Sequence, residues 1–227
     1  MRSIEELFPR IFIKPKKTIL YELALTHPSY NADAKTKNQD YERLEYIGDA
    51  VLGFVCADLI YKLHPEIDQG LMSKLRSYLV KSSSLANYAR KIDLQEYIKT
   101  GHSIDTKRIG ASDNILEDVF EALIGAIYLD LGINKVYSYI KSFMYNDIKN
   151  IDFDVLTDYK TKLQEAMQSE YRDSVTYSVI DEKGPPHDKI FFVEVKFGGM
   201  VLATGSGKSK KAAEEDAAKN ALAKGGF

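Results

Sequence analysis

A chain of 227 residues, 44% hydrophobic and 28% charged, has the composition of a globular protein of one or two domains and is long enough to bury a core. A net charge of -2 excludes a global basic footprint for nucleic acid, so such a partner has to be met by a local patch. The start MRSIEELF is no signal peptide, no apolar run approaches a membrane span, and the single cysteine, Cys56, forms no intrachain disulfide, so the expectation is a cytoplasmic protein with no membrane partner.

Ser3 with Glu6 three residues on is a capping box that predicts a short helix, ended soon after by Pro9. Thr18 to Leu25 is a second helical stretch and leads into Thr26 to Tyr30, THPSY, where His27 beside Pro28 reads as structural. Asn31 to Asp40 is polar without periodicity, which predicts a loop. Tyr41 to Tyr61, YERLEYIGDAVLGFVCADLIY, then reads as a core helix, apolar at Leu44, Ile47, Val51, Leu52, Phe54, Val55, Leu59 and Ile60. Yet Glu42, Glu45 and Asp49 fall at i, i+3 and i+7, which puts three carboxylates on one face.

His64-Pro65 ends that helix, and PEIDQG turns into another starting near Leu71. Met72 to Lys91 reads as helical, with Lys74, Arg76, Lys81, Arg90 and Lys91 mostly on a solvated face. After a loop over Thr100 to Ser112, Asn114 to Leu131 is a second strongly apolar helix, and it carries Asp118 and Glu121 at i, i+3. Gly132 breaks it, and Asn134 to Ile148 forms the next.

Acids seldom enter a core unpaired, because desolvating a lone carboxylate is costly. Two readings of the acidic helices follow. They share a site for a hard cation, where oxygen-only ligands favour Mg²⁺ or Mn²⁺ over zinc or copper. Alternatively, they are amphipathic helices with solvated acidic faces.

Beyond a connector at Asn150 to Thr157 the pattern changes. Asp158 to Tyr171 is a helix, and SVTYSVID, KIFFVEVKF and MVLATGSG read as three strands. GPPH, Gly184 to His187, turns between the first two, and Gly198-Gly199 makes a hairpin between the others. Lys210 to Ala223 closes as an Ala-rich helix. GSGKS, Gly205 to Ser209, tempts a P-loop reading, but Leu202 stands where that pattern needs its first glycine.

ERLEYIGDAVL, Glu42 to Leu52, resembles the hallmark motif of the ribonuclease III family of double-stranded-RNA endonucleases. THPSY, GLMSKLRSYLV (Gly70 to Val80) and ILEDVFEALIGAIYLD (Ile115 to Asp130) are similar to its other blocks, in the same order. The resemblance implies an all-α, dimerising nuclease domain over 1-152, then a small α+β (α-β-β-β-α) double-stranded-RNA-binding domain over 157-227. It implies Mg²⁺, or Mn²⁺ in its place, bound by Glu45, Asp49, Asp118 and Glu121, with Asp49 and Glu121 catalytic and Glu42 at the cleft edge. Products with 5′-phosphate and 3′-hydroxyl ends, and substrates among ribosomal precursors and structured messenger RNAs, are further implications.

The resemblance also implies a homodimer in which the aromatic Tyr46 plugs into the partner; the plain alternative is a core aromatic. In the second domain it points to duplex RNA read by shape. Thr161, Gln164 and Gln168 on the first helix, His187 in the turn, and Lys208, Lys210 and Lys211 at the last helix's N-terminus match its contacts. The sequence departs from the family at Gln69, where a glutamate of the acidic cluster is usual. That departure motivates one rival reading, a duplex-binding protein that cuts weakly. A hydrolase of small phosphoesters is the other, and the appended RNA-binding domain argues against it.

Overall fold

The computed structural model describes residues 2-34, 39-102, 104, 109-171, 174-185 and 188-225. The chain divides into two compact units, Met1–Asp152 and Phe153–Phe227.

The described elements of the first unit are helical. A 3₁₀ turn, Ile4–Glu6, precedes α1 (Leu7–Arg10), α2 (Thr18–Ala24), α3 (Pro28–Ala34), α4 (Glu42–Leu63), α5 (Gln69–Leu79), α6 (Ser82–Lys91), α7 (Asp113–Leu131) and α8 (Ile133–Lys149). The two acidic helices, α4 and α7, form the central pair; α2, α6 and α8 pack on α7, and α5 and α8 on α4. Leu52, Val55 and Cys56 from α4 and Phe120, Leu123, Ile124 and Ile127 from α7 are buried between these layers. No helix among the described residues is long and apolar enough to cross a membrane.

Four local expectations are corrected. The capping box does not form. Glu6 N–H donates to the backbone carbonyl of Ser3 in the 3₁₀ turn, and the Ser3 hydroxyl donates to Glu5 instead. The stretch read as a loop from Asn31 begins inside α3, because Pro28 at a first helical position presets φ and has no N–H to leave unpaired. Gln69 opens α5 two residues earlier than expected, with Asp68 as its N-cap accepting from Leu71 N–H at 2.8 Å. Met72 to Lys91 is two helices, broken at Val80 and Lys81. Lys81 is extended (ψ 152°), and the Ser84 hydroxyl donates to the Tyr78 carbonyl at 3.0 Å, so serine side chains compete with helix continuation there.

Phe54, read as core, is 60% exposed. It lies on an outer stripe of α4 with Tyr46 (81%) and Tyr61 (70%).

The second unit runs from a 3₁₀ turn, Phe153–Leu156, into α9 (Tyr159–Tyr171), β1 (Thr176–Lys183), β2 (Ile190–Phe197), β3 (Met200–Gly207) and α10 (Lys210–Lys224). The strands form an antiparallel sheet in the order β1-β2-β3. A bulge between Val179 and Asp181 breaks the ladder of the edge strand β1. The β2–β3 hairpin turns on Gly198 and Gly199 (φ 54° and 85°), a backbone that β-carbon-bearing residues resist. Leu163 and Met167 of α9 and Ala213, Ala217, Ala218 and Ala221 of α10 bury against Val193, Val195 and Ala203. The GSG segment has a packing reason. A β-carbon on Gly205 would stand 2.1 Å from Ala217 N, and one on Gly207 2.7 Å from Ala213 N, so these glycines let α10 lie on β3.

Candidate active site and nucleic-acid interface

The acids are brought together by a glycine-to-backbone crossing. A β-carbon on Gly48 of α4 would stand 1.8 Å from the Glu121 carbonyl oxygen; one on Gly125 of α7 would stand 2.2 Å from that of Leu44. The two backbones therefore touch where Gly48 neighbours Asp49 and where Glu121 lies one turn before Gly125. Glu121 is only 8% exposed, Glu45 and Asp118 are half-buried, and Asp49 and Glu42 are exposed.

Burial pushes Glu121 up to about 8, and the charges of Asp49, Glu117, Glu45 and Asp118 add to the shift. Glu45 is raised by burial first and then by Asp118, Glu42, Glu117 and Asp49. Asp118 is raised by burial, against a hydrogen bond from Tyr41 and the charge of His27. The Tyr41 hydroxyl donates to Asp118 Oδ2 at 3.1 Å.

Glu42, Glu45, Asp49, Asp118 and Glu121 thus share one electrostatic neighbourhood. Glu117 joins them. Its i, i+4 spacing to Glu121 was the available sequence signal. Among the described residues no three His, Cys, Asp or Glu side chains are gathered tightly enough to hold an ion as they stand. Like charges favour spread carboxylates, and a divalent cation reverses that preference. The donor chemistry, carboxylate oxygen throughout, fits Mg²⁺ or Mn²⁺.

His27 caps α3, its Nδ1 accepting from Ser29 N–H at 3.1 Å. Its ring meets Tyr41 edge-on, with 5.6 Å between centroids.

Gln69 stands apart from these acids within its own chain. It lines a groove with Ala57, Ile60, Tyr61, Met72 and Arg76. Ala57 lies eight residues beyond Asp49, roughly 12 Å along the helix axis. Its acidic neighbours are engaged elsewhere, Asp68 as the α5 cap and Glu66 with His64 Nδ1 at 2.9 Å. Tyr46, far from being core, stands out from α4 beside a groove of about 680 Å³ lined by Leu20, Leu23, Arg43, Ile47 and Leu129.

In the second unit, Thr161 and Gln168 are exposed on α9. Gln164 between them is half-buried, its Oε1 accepting from Val175 N–H at 3.4 Å. Lys208, Lys210 and Lys211 are all exposed at the start of α10, where Ser209 caps the helix by accepting from Ala212 N–H at 3.1 Å. Lys208 pairs with Asp188 at 3.0 Å, and Lys210 sits over the Phe191 ring. His187 lies outside the described residues.

Comparison with known proteins covers both units. Residues 17–148 match the ribonuclease-III-like family model, and residues 159–224 match the double-stranded RNA binding motif. Ribonuclease 3 of Streptococcus pyogenes serotype M1 is 42% identical over 225 residues, 98% of each chain. The serotype M5 (strain Manfredo) protein matches to the same extent, 42% over 225 residues. The nuclease domain of ribonuclease III from Campylobacter jejuni, solved at 2.2 Å, is 31% identical with a TM-score of 0.60, over 67% of this chain and 100% of that one. A second structure of that domain, concerned with flexibility in a region involved in dimer formation, is 30% identical with a TM-score of 0.57 over 65% of this chain and 96% of that one.

Proposed function

The chain belongs to the ribonuclease III family as a ribonuclease III-type endonuclease with a double-stranded-RNA-binding domain, and we propose that it cuts duplex RNA with Mg²⁺, leaving 5′-phosphate and 3′-hydroxyl ends. One observation carries this reading. Glu121 is buried among four other carboxylates at a backbone crossing too tight for a β-carbon, an arrangement that costs stability without a cation.

Glu45, Asp49, Asp118 and Glu121 would hold the ion, with Asp49 and Glu121 in the catalytic role. When bound, Mg²⁺ supplies an activated water and neutralises charge developing on the phosphodiester. Glu42, exposed at the head of α4, meets water or the RNA at the cleft edge. Thr161 and Gln168 approach sugar hydroxyls in the minor groove, with His187 as a second minor-groove contact, and Lys208, Lys210 and Lys211 meet phosphate. Gln164, turned toward Val175, gives less. Ribosomal precursors and structured messenger RNAs in the cytoplasm are the proposed substrates.

Cutting both strands calls for two centres, and we place them in a homodimer. The outer stripe Tyr46, Phe54, Tyr61 supports it, being apolar and aromatic along the length of α4. A two-fold axis near Phe54 pairs Tyr46 of one copy with Tyr61 of the other, since a two-fold interface is self-complementary. Gln69, which lines the groove beside Tyr61, then approaches the partner's acids rather than its own. Gln69 therefore gives little support to a protein that binds without cutting.

The test is incubation of the full chain with long duplex RNA, with and without Mg²⁺, followed by end analysis. The reading expects Mg²⁺-dependent fragments that a 5′-phosphate-dependent exonuclease degrades. Intact duplex at saturating Mg²⁺ contradicts it.

A further inference from the structure

Tyr41 stands just before the hallmark motif, at the N-cap of α4, and three tethers converge on it. Its N–H donates to the Thr26 carbonyl at 3.1 Å. Its own carbonyl accepts from Leu44 N–H at 2.8 Å and Glu45 N–H at 2.9 Å, which makes it the backbone anchor for the first turn of α4. Its hydroxyl crosses to α7 and donates to Asp118 Oδ2 at 3.1 Å. The ring is 4% exposed, and the edge of His27 closes on it. One residue thus ties Glu45, through the backbone, to Asp118, through its side chain.

A phenol is a poor divalent-cation ligand while it keeps its proton, so Tyr41 is suited to holding a ligand rather than being one. A donor held on Oδ2 of Asp118 restrains that carboxylate and does not engage its Oδ1. We propose that Tyr41 is a positioning residue that orients Asp118 for the catalytic cation and fixes the spacing of Asp118 from Glu45. This rests on the reading of Asp118 as a metal ligand. Partners of this kind, hydrogen-bonded to ligating carboxylates, typically contribute about 10- to 100-fold in metal affinity.

The experiment uses the full-length protein without RNA, with free Mn²⁺ followed by electron paramagnetic resonance. Tyr41→Phe keeps the ring and its contacts and removes only the donor. It is expected to unfold within a few degrees of wild type, to bind Mn²⁺ about 10-fold more weakly, and to need correspondingly more Mg²⁺ for half-maximal duplex cleavage. Excess Mg²⁺ restores its rate. Replacing Tyr41 with 4-aminophenylalanine returns a donor to the same ring and is expected to recover wild-type Mn²⁺ affinity. Asp118→Asn separates the two layers of the claim. Asp118→Asn binding Mn²⁺ like wild type overturns the ligand reading, and the positioning role with it. Loss of affinity in Asp118→Asn beside wild-type affinity in Tyr41→Phe overturns the role of Tyr41 alone. Equal weakness of the phenylalanine and aminophenylalanine variants overturns it too.

Discussion

The two units use the same packing device for opposite electrostatic ends. In the first, Gly48 and Gly125 let α4 and α7 touch, and the crossing gathers carboxylates whose charges oppose one another. In the second, Gly205 and Gly207 let α10 settle on β3, and the crossing buries alanines while Lys208, Lys210 and Lys211 stay exposed. Close backbone approach is therefore not itself the signature of a site. The signature is what the approach confines. Where it confines repelling acids, stability is given up, and on the proposed reading a cation offsets the loss; where it confines methyl groups, the gain is packing alone.

The comparison breaks most visibly at the glycines. Gly48→Ala puts a methyl group against the Glu121 backbone, and Gly205→Ala puts one against Ala217. Each is expected to destabilise its own unit by about 3 kcal/mol or more, since neither contact is the yielding end of a side chain. Gly48→Ala is expected to end cleavage and Gly205→Ala to weaken duplex binding, as read by denaturant unfolding beside the two assays. Wild-type unfolding of Gly48→Ala would remove the crossing from the account.

The electrostatic half of the contrast is sharpened by pH. Glu121, raised from 4.5 to about 8, binds its proton more tightly in the folded chain than in the unfolded one. The folded state then carries more protons across that window, so metal-free stability falls as pH rises through it. At pH 8 without metal, Glu121→Gln is expected to melt several degrees above wild type, and near pH 4.5 the two converge. Added Mg²⁺ narrows the gap at pH 8 by stabilising the wild type. A gap independent of pH argues that the carboxylate is not under strain.

The exposed lysines give a smaller effect. Lys210→Ala and Lys211→Ala are each expected to lower the slope of log affinity against log salt by about 1. An unchanged slope places that lysine off the phosphates. Smallest is Gln69→Glu, which in the proposed homodimer adds its charge only at the partner's site. It is expected to lower the Mg²⁺ midpoint of cleavage slightly and leave the saturated rate alone. The same shift in a chain made monomeric by Phe54→Glu would contradict the two-fold placement.

Much of this was legible in the sequence because it is periodic. The apolar runs of α4 and α7, with acids at i, i+3 and i+7 on the first and at i, i+3 on the second, mark both helices and the faces that meet. The three strand-like runs and the Gly198-Gly199 turn mark the sheet. What escaped is what depends on neighbours distant in the chain or on local hydrogen bonds. Tyr41 and Asp118 are 77 residues apart, and no spacing rule links them. The break at Val80 and Lys81 turns on one serine hydroxyl taking a helix carbonyl. The short helix α3 has too few turns to show a period. Gln164 shares a face with Thr161 and Gln168 by spacing, but the Val175 N–H draws it inward. Phe54 looks like core by residue type and lies outside because α7 covers the other side of α4.

The central claim is that the carboxylates at the α4–α7 crossing hold the cation that cuts, while the second unit holds the RNA. Its most direct test is single-turnover cleavage of a long RNA duplex by Glu121→Gln at saturating Mg²⁺, with duplex affinity measured on the same preparation. The account predicts that cleavage is abolished and that affinity stays at the wild-type value. Cleavage at the wild-type rate would contradict it.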